Sequence, residues 1–553
     1  MNFYKILPLL FVGVLFLNAA SALVVTNSAD GRDTVSAIYY ANVKGEDIRF
    51  ATRYQNAEMF FYKVGTQGRD ILYIESKNYP IFAFAKEKIA QTNTIKEEII
   101  SEDPYKTNQL LAKKSGAQNF IIVDPTYGYN TVSVLAYAKA TKSYLLFANK
   151  DLIADVVAVL KEVGAKKILV YGLVDEEVIV ELNKTGIQME IINNKDKYDD
   201  NMQMVERTLK LTGRRQMIMS DGNAIEESIA SGSDPVIFIN TLFPRDVEAF
   251  LMNKVRDGEV SVFLLIGEEY AQAAYNFKQK AKQELGKEVS IIAKFGEVIP
   301  KMGEDPQPNN YVVLPGPVLD LQISAVNYNS KTKRLEVIFK NSGAPVYESS
   351  EIIVFVNGQK VLSIIDPKPI YIETADEYGV EYDVQQSLEG EVGANITTRY
   401  GMSSKYYEKG FVVYSKIGYV EFYDASNLSI ADISTDPFSG DVKVKVENKG
   451  EKLVYYRLTT KLVGAKNTTV SDQEIRELQP GESAVISYSG VLKGTEATSV
   501  ESTAKYGERK AFLKNEATLS RRVATLLDAL WLPLLILVVL IAIALYILSK
   551  RQK

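Results

Sequence analysis

The chain has 553 residues, with 69 Asp plus Glu against 64 Lys plus Arg, and it contains neither Cys nor His. These missing residue types exclude disulfides, Cys/His zinc sites, Cys nucleophiles and catalytic triads with a His base. A chain of this length exceeds one hydrophobic core, so several domains of roughly 150 residues are expected. The mild acidity and the lack of a basic stripe predict no nucleic-acid partner.

The N-terminus has the three parts of a secretory signal peptide. Lys5 supplies the positive charge, residues 6–17 are apolar, and Ala20-Ser21-Ala22 is a small-residue cleavage site. We therefore predict a signal peptide over residues 1–22. The alternative is an uncleaved membrane anchor, although the apolar run is shorter than the ~20 residues that a span needs.

From residue 23 to about residue 300, short apolar runs alternate with helical patterns. The clearest runs are FIIVD (120–124), SYLLFA (143–148), KKILVYG (166–172) and IQMEII (187–192). Such brief runs, rich in β-branched and aromatic residues, are typical of strands that are buried on both faces. Strand–helix alternation with short connections predicts parallel sheets covered by helices.

This part of the chain consists of copies of one unit. Residues 24–53 align without gaps on residues 121–150, so that Thr34-Val35-Ser36 falls on Thr131-Val132-Ser133. A second motif, Asp-x-Tyr-x-x-Asn, closes each copy at 103–108 and at 196–201. A third, degenerate copy lacks both motifs. We predict three tandem Rossmann-like α/β repeats, at residues 23–116, 117–213 and 214–299.

The strand, the helix opened by a small polar cluster and the closing Asp-x-Tyr-x-x-Asn motif resemble the cell wall-binding repeat 2 family. Repeats of that family resemble small Rossmann-like modules and commonly occur in threes on secreted surface-layer proteins and wall-associated enzymes. The family is implicated in non-covalent attachment to anionic wall polymers. The resemblance covers residues 23–300 and implies a surface protein whose repeats bind such polymers.

A Pro- and Gly-rich stretch at residues 300–318 predicts a linker and a domain boundary. Beyond it, alternating strands follow without helical stretches. Residues 321–343 align without gaps on residues 428–450. The alignment superposes two sets of residues that are expected to face inward. They are Leu335, Val337 and Phe339 in one copy and Val442, Val444 and Val446 in the other.

The aligned copies also share an Asn-x-Gly turn, at Asn341–Gly343 and Asn448–Gly450, where both residue types tolerate positive φ. Units of this length and pattern predict two Ig-like β-sandwiches, at residues 319–418 and 419–519. They resemble the adhesion-related β-sandwich modules that are common on archaeal surface proteins. The favoured role for them is that of a spacer or stalk.

Residues 530–548 form an uninterrupted apolar run that is long enough to cross a bilayer. Trp531 and Tyr546 stand near its ends, where an interfacial belt places aromatic residues. We predict a single transmembrane helix at residues 528–549 and a cytoplasmic tail at 550–553. Together with the signal peptide, this predicts a type I protein of the cell membrane with an extracellular ectodomain.

The polar helix openings of the first two repeats are candidate ligand sites, since backbone N–H groups at a helix start favour anions. The candidates are Asp33, Thr34, Ser36, Asn130, Thr131 and Ser133. The alternative is N-capping by Asp33 and Asn130. Tyr127 and Tyr129 suggest an exposed aromatic loop that stacks on sugar rings, with loop packing as the alternative. No cofactor, metal site or catalytic residue is predicted.

Other polar residues are expected to be structural or modified. Asp103 and Asp196 are predicted helix caps, and Tyr105 and Tyr198 are predicted to pack between repeats. The adjacent acids Asp199-Asp200 and Glu226-Glu227 are expected to be solvated, because they do not face each other as catalytic pairs do. Four sequons are glycosylation candidates: Asn183, Asn395, Asn427 and Asn467.

These observations predict a membrane-anchored structural protein of the cell envelope, an S-layer or S-layer-like component and not an enzyme. Its repeats are expected to pack into an array or to bind surface glycans or anionic polymers. The alternative is a glycan-binding adhesin or receptor on the cell surface. A wall-modifying hydrolase ranks third, since no separate catalytic domain is predicted.

Overall fold

The computed structural model describes residues 22–65, 68–297, 307–308, 311–384, 387–464, 468–471, 474–493, 495, 497–524, 536 and 538–544. Residues 1–21 of the predicted signal peptide and most of the predicted membrane segment therefore lie outside the described residues. Residues 536 and 538–544 are helical. Among the residues described, no helix is long and apolar enough to cross a membrane.

The described residues form two compact units. One contains the residues up to 178 together with 187–317, and the other contains residues 179–186 and those from 318 onward. The first is α/β and the second is built from antiparallel sheets, with one parallel pairing. This confirms the predicted change from an α/β region to a β-rich region.

Three four-stranded parallel sheets form the first unit. The first sheet contains β1 (Leu23–Asn27), β2 (Asp47–Phe50), β3 (Asp70–Ser76) and β4 (Thr94–Ser101). The second contains β5 (Asn119–Val123), β6 (Ser143–Phe147), β7 (Lys167–Tyr171) and β8 (Gln188–Ile192). The third contains β9 (Gln216–Ser220), β11 (Val236–Phe238), β12 (Val262–Ile266) and β13 (Ser290–Lys294), while β10 (Ala224–Glu226) lies outside it.

Helices connect these strands. In the first sheet's module they are α1 (Gly31–Lys44), α2 (Ala57–Gly65), α3 (Ala85–Ala90) and α4 (Pro104–Ser115). The second has α5 (Tyr129–Thr141), α6 (Ile153–Glu162), α7 (Glu176–Asn183) and α8 (Lys197–Thr212). The third has α9 (Glu227–Ala230), α10 (Arg245–Arg256) and α11 (Ala271–Leu285). Short 3₁₀ turns occupy Tyr54–Asn56 and Glu268–Tyr270.

The three sheets have the same strand order. The orders are β2-β1-β3-β4, β6-β5-β7-β8 and β11-β9-β12-β13, so the second strand of each sheet is an edge strand. The helices that follow the first strand, α1 and α5, are buried over most of their length. A helix that is buried all round lies inside the protein, so polar side chains on it need internal partners. This requirement shapes the candidate site.

Short strands close the first unit: β14 (Gly296–Glu297), β15 (Gln307–Pro308) and β16 (Tyr311–Val313). The β16 strand pairs antiparallel with β10. Part of the predicted linker is thus a strand of the α/β unit, held by backbone hydrogen bonds to residues almost ninety positions earlier.

The second unit contains two β-sandwiches. The strands of the first are β17 (Leu321–Asn329), β18 (Arg334–Asn341), β19 (Val346–Val356), β20 (Gln359–Ile365), β21 (Ile370–Ile372), β22 (Glu377–Asp383), β23 (Val392–Gly401), β24 (Lys409–Lys416) and β25 (Gly418–Val420). Those of the second are β26 (Leu428–Thr435), β27 (Val442–Asn448), β28 (Val454–Gly464), β29 (Thr468–Ser471), β30 (Arg476–Leu478), β31 (Ser483–Tyr488), β32 (Ala497–Gly507) and β33 (Asn515–Arg522).

The two sandwiches repeat each other in detail. The order is β22-β18-β17-β25 against β20-β19-β23-β24 in the first, and β26-β27-β31 against β29-β28-β32-β33 in the second. The six apolar residues aligned in the sequence are all buried, as predicted. A register shift also recurs at aligned positions, between Ile323 and Ala325 and between Ile430 and Asp432.

The prediction that the Asn-x-Gly turns use Asn and Gly for positive φ is wrong, because neither residue has positive φ in either turn. The Asn341 side chain accepts from Gly343 N–H at 3.1 Å and donates to three backbone carbonyls, while Asn448 accepts from Gly450 N–H at 2.9 Å. At Gly343 the missing Cβ matters, because it would lie 2.4 Å from the Val318 carbonyl oxygen. Hydrogen bonding and close packing therefore explain these residues.

Charged and aromatic side chains join the two sandwiches. Arg509 donates to both carboxylate oxygens of Glu336, at 2.6 and 2.8 Å, and its guanidinium lies between the rings of Phe422 and Phe512. Glu336 is fully buried. A second pair, Arg457 with Asp376, has an N–O distance of 2.9 Å. A buried bidentate ion pair fixes the orientation of the guanidinium relative to the carboxylate as well as their distance. This contact therefore favours a defined angle between the sandwiches.

Candidate functional site

Asn108 in α4 joins the first α/β module to the second. Its side chain is buried between α4 and the edge strand β6. Its Nδ2 donates to the Leu145 carbonyl at 3.0 Å, and its Oδ1 accepts from Phe147 N–H at 3.2 Å. An edge strand leaves backbone groups unpaired. The Asn108 amide therefore satisfies two of them, as a neighbouring strand would.

Asn201 in α8 repeats this arrangement at the next junction. Its Nδ2 donates to the Val236 carbonyl at 2.9 Å, and its Oδ1 accepts from Phe238 N–H at 2.8 Å. Both backbone groups belong to β11, the edge strand of the third sheet. The Asn of the Asp-x-Tyr-x-x-Asn motif thus connects each of the first two modules to its successor.

The Ser of the Thr-Val-Ser motif orients this Asn. Asn108 Nδ2 donates to Ser36 Oγ at 3.0 Å, and Asn201 Nδ2 donates to Ser133 Oγ at 2.8 Å. Ser133 also shares a hydrogen bond of 2.6 Å with the Tyr171 hydroxyl. The two sequence motifs are therefore parts of one buried hydrogen-bond network at each junction.

The two Asp residues of the closing motif cap helices as predicted, and Tyr105 packs against the next module. Asp103 accepts from Tyr105 N–H at 2.8 Å and Asp196 accepts from Tyr198 N–H at 3.0 Å, which caps α4 and α8. The Tyr105 ring lies edge-on to Phe147 of the next module, with centroids 6.4 Å apart. Tyr198 is buried.

The opening of α1 differs from the predicted cap. Asp30 is the N-cap and accepts from Arg32 N–H at 2.9 Å, so capping by Asp33 is wrong. Asp33 lies in the first turn, where its carboxylate accepts from Ser28 Oγ at 2.8 Å and from Ser101 Oγ at 2.7 Å. Burial raises the pKa of Asp33. Thr34, also buried, lies 3.3 Å from the Thr26 hydroxyl.

The opening of α5 also differs. The helix begins after Gly128, so capping by Asn130 is wrong. Thr131 contributes to a junction, because its carbonyl accepts from the Tyr39 hydroxyl of the first module at 2.5 Å. Asn130 is buried, and its Nδ2 has no hydrogen-bond partner among the residues described. The amide packs against Gly172, where an added Cβ would lie 2.3 Å from Nδ2. Gly172 therefore leaves room for the Asn130 amide.

Tyr127 and Tyr129 are both buried. The Tyr129 ring lies edge-on to Phe238 of the third module, with centroids 6.0 Å apart, and Lys197 lies over its face. The exposed aromatic loop is thus absent and loop packing is observed. All eight candidate ligand residues are buried, and ligand binding by them stays a prediction.

Residues 311–315, here called the covering segment, lie across the starts of α1 and α5. Gly128 N–H donates to the Pro315 carbonyl at 2.9 Å, and Leu314 N–H donates to the Asn223 carbonyl at 2.9 Å. A Cβ on Gly31 would lie 2.8 Å from the Val313 carbonyl oxygen. The segment occupies the position where an anion at the α5 start was expected. A cavity of about 340 Å³ remains beside the α1 start, bordered by Tyr79.

Gly128→Ala is expected to displace the covering segment, because the added Cβ would lie 2.5 Å from the Pro315 carbonyl oxygen and 2.7 Å from Leu314 Cβ. Amide hydrogen exchange of residues 311–314 should become faster, with little change in α5. Gly316→Ala is the matched control, since a Cβ there meets nothing within 4 Å. Equal exchange in both variants would show that Gly128 does not hold the segment.

Two acids that were expected to be solvated are buried. Glu226 accepts from Ser228 N–H at 2.7 Å, capping α9, and it pairs with Lys294. Asp200 accepts from the backbone N–H of Asn194 at 2.6 Å and from its side chain at 2.9 Å. Burial raises the pKa of Asp200 to about 7, against the hydrogen bonds from Asn194. Two adjacent acids in a sequence do not indicate such hydrogen-bond and ion-pair partners, because these depend on the fold.

The stability of the α/β unit is expected to fall as the pH rises through 7. The folded state holds the Asp200 proton more tightly than the unfolded chain does. Its contribution is thus fully present below the ordinary pKa of 3.8 and is lost as the pH passes about 7. The expected loss is about 4 kcal/mol. Asp200→Asn should remove this slope in unfolding experiments at several pH values, whereas Asp199→Asn should keep it.

The sequons are unevenly exposed. Asn427 is exposed, while Asn183 and Asn395 are half-buried. Asn467 lies outside the described residues. Glycosylation at these positions stays a prediction. Within the described ranges, no group of three or more acidic side chains is placed to hold a metal ion.

Comparisons with known proteins give low similarity. No family model matches the chain and no curated protein matches it. Among solved structures, Cwp8 from Clostridium difficile is similar at 15% identity with a TM-score of 0.39, over 48% of this chain and 47% of that chain. The chain thus spans about half the length of Cwp8. A tetra-tandem repeat from the extending region of a large adhesion protein matches at 10% identity and a TM-score of 0.15, covering 39% of this chain and 52% of that one.

Proposed function

We propose that this chain is a membrane-anchored structural protein of the cell surface, an S-layer or S-layer-like component. The observation that carries the proposal is the use of the repeated motif residues. Asn108 and Asn201 join successive α/β modules through edge-strand hydrogen bonds. Because these motif residues bind the neighbouring module, they favour a rigid row of modules. A coat component requires such rigidity.

The second unit supports the same role. Its two sandwiches are joined through the buried Arg509–Glu336 pair, and such a joint suits a stalk that holds a defined shape. The predicted signal peptide and apolar run would place the α/β modules outside the cell and anchor the stalk in the membrane. A membrane anchor lessens the need for a wall polymer as the attachment point, and packing between neighbouring copies remains as the main task of the modules.

Quantification of this protein in isolated cell envelopes tests the proposal. A coat component is expected among the most abundant envelope proteins, at a copy number sufficient to cover the surface. When intact cells are treated with a protease, the chain before residue 528 should be cleaved, and the chain from residue 528 onward should be protected. A scarce protein, or one recovered in the soluble fraction, would contradict the proposal.

The alternative, a glycan-binding adhesin, is supported by one surface feature. Tyr54, Tyr79 and Phe84 of the first module are 75%, 65% and 79% exposed. Phe84 also has a φ of 59°, which a bulky side chain rarely adopts. Exposed rings of this kind suit stacking on sugars. A glycan array probed with the wild-type chain and with Tyr79→Ala and Phe84→Ala tests this role, and binding that these variants leave unchanged would count against it.

A further inference from the structure

Two carboxylates are buried together inside the first β-sandwich. Glu348 on β19 is 0% exposed, and Asp366, which follows β20, is 7% exposed. Ser350 contacts both. Its hydroxyl donates to Glu348 Oε2 at 2.9 Å, and its backbone N–H donates to Asp366 Oδ2 at 2.5 Å. The two acids are therefore close neighbours in a region from which water is largely excluded.

Nothing described in the structure neutralises this pair. Glu348 Oε1 is buried and has no hydrogen-bond partner within the part of the chain that the structure describes. The charges that act on Glu348 and Asp366 include no Lys or Arg among the described residues. Burial, with the negative charge of Asp366, raises the pKa of Glu348 to about 8, against the hydrogen bond from Ser350. Buried charges are normally paired or bound to a metal.

The side chains that donate to the two carboxylates do so through hydroxyl groups. The Tyr382 hydroxyl donates to Asp366 Oδ1 at 2.8 Å, and the Thr398 hydroxyl lies 2.8 Å from Ser350 Oγ. Carboxylate and hydroxyl oxygens around an unfilled acceptor suit a hard cation.

The second sandwich shows that the fold does not require these residues. Tyr347 pairs with Gly401 in the first sandwich as Tyr455 pairs with Gly507 in the second. In this register Glu348 corresponds to Tyr456, Ser350 to Leu458 and Thr398 to Ala504. All three replacements are buried. The same strand positions thus pack without a carboxylate, and the acidic group is a feature of the first sandwich.

We propose that Glu348 and Asp366, together with the Ser350 and Thr398 hydroxyls, bind a divalent cation, with Ca²⁺ as the best match to flexible oxygen ligands. Two carboxylates balance the charge of one such ion, and waters would complete its coordination shell. The cation would replace the proton that Glu348 otherwise needs to stay buried. The site does not depend on the proposed coat function.

Calcium titration of the purified full-length chain at pH 7.5 tests the site. Wild type is expected to bind Ca²⁺ saturably, releasing protons, and its β-rich unit should unfold about 4 °C or more higher in Ca²⁺ than in chelator. Glu348→Gln and Asp366→Asn should each lose the shift. Glu351→Gln is the matched control, since Glu351 lies on the same strand with an exposed side chain, and it should keep the shift.

Three results would overturn the proposal. The first is an unfolding temperature of the wild-type chain that neither Ca²⁺ nor Mg²⁺ changes. The second is equal Ca²⁺ binding in the wild type and in Glu348→Gln. The third is a Glu348→Gln chain that gains stability at pH 8 while the wild type binds no cation, which would identify Glu348 as a buried acid that is protonated at neutral pH. The Ca²⁺ titration of the wild-type chain tests the cation site even if a variant fails to fold.

Discussion

Asn201→Leu is expected to lower the free energy of unfolding of the α/β unit by about 4 kcal/mol. Leucine fills a similar volume but leaves the Val236 carbonyl and the Phe238 N–H of β11 without their partner. Each buried backbone group that loses its hydrogen bond costs about 1–3 kcal/mol. Denaturant unfolding followed by the helical circular dichroism signal measures the change, since all helices labelled α1–α11 belong to the three α/β modules.

Asn276→Ala is the matched control for this prediction. Asn276 is an exposed residue of α11 whose side chain accepts from Gln272 at 2.9 Å, so its loss should change stability by no more than about 0.5 kcal/mol. Asn108→Leu should reproduce the Asn201 effect at the first junction. A loss below 1 kcal/mol in both junction variants would show that these amides do not hold the modules together.

Arg509→Leu is expected to destabilise the β-rich unit by about 3–5 kcal/mol, because it leaves the Glu336 carboxylate buried without its partner. Asn329 Nδ2, which donates to Glu336 Oε1 at 2.9 Å, cannot neutralise the charge. The double variant Glu336→Gln/Arg509→Leu should recover much of the lost stability, since it removes the unpaired buried carboxylate. Thermal unfolding and hydrogen exchange of β22 and β33 measure both effects.

The exposed pair Lys416–Glu391 provides the comparison for Arg509. Its N–O distance is 3.5 Å, and its side chains are 80% and 75% exposed. Solvent screens such a pair, so Lys416→Ala should change stability by less than about 1 kcal/mol. If Arg509→Leu were as mild as Lys416→Ala, the two sandwiches would not be joined through the Arg509–Glu336 pair.

The sequence predicted the architecture because its signals are local and repeated. Alternating apolar runs at 120–124 and 143–148 predict strands that the structure places at β5 and β6. The gapless alignment of the β-rich copies agrees with the register shift that the structure shows at the same aligned positions in both sandwiches. Hydrophobic periodicity and internal repetition depend only on neighbouring residues, so one sequence suffices to read them.

The candidate site was harder to predict because its contacts are long-range. Asn108 and Ser36 are 72 positions apart, and Asn108 contacts a backbone in another module. The covering segment reaches the start of α5 from a linker almost two hundred residues later. A polar cluster at a helix start looks the same in a sequence whether it faces a ligand or a neighbouring module. The expected solvation of Asp200 is wrong for the same reason, and of the two alternatives for Tyr129 loop packing is observed, since tertiary packing decides the burial of both.

The proposed function requires the α/β modules to form a rigid body that packs on the cell surface. Electron cryotomography of isolated envelopes, with subtomogram averaging and an antibody against residues 23–300, tests it most directly. We expect a periodic array in which every repeating unit carries the label. An envelope on which the labelled protein is scattered without order would contradict the claim and would favour the adhesin.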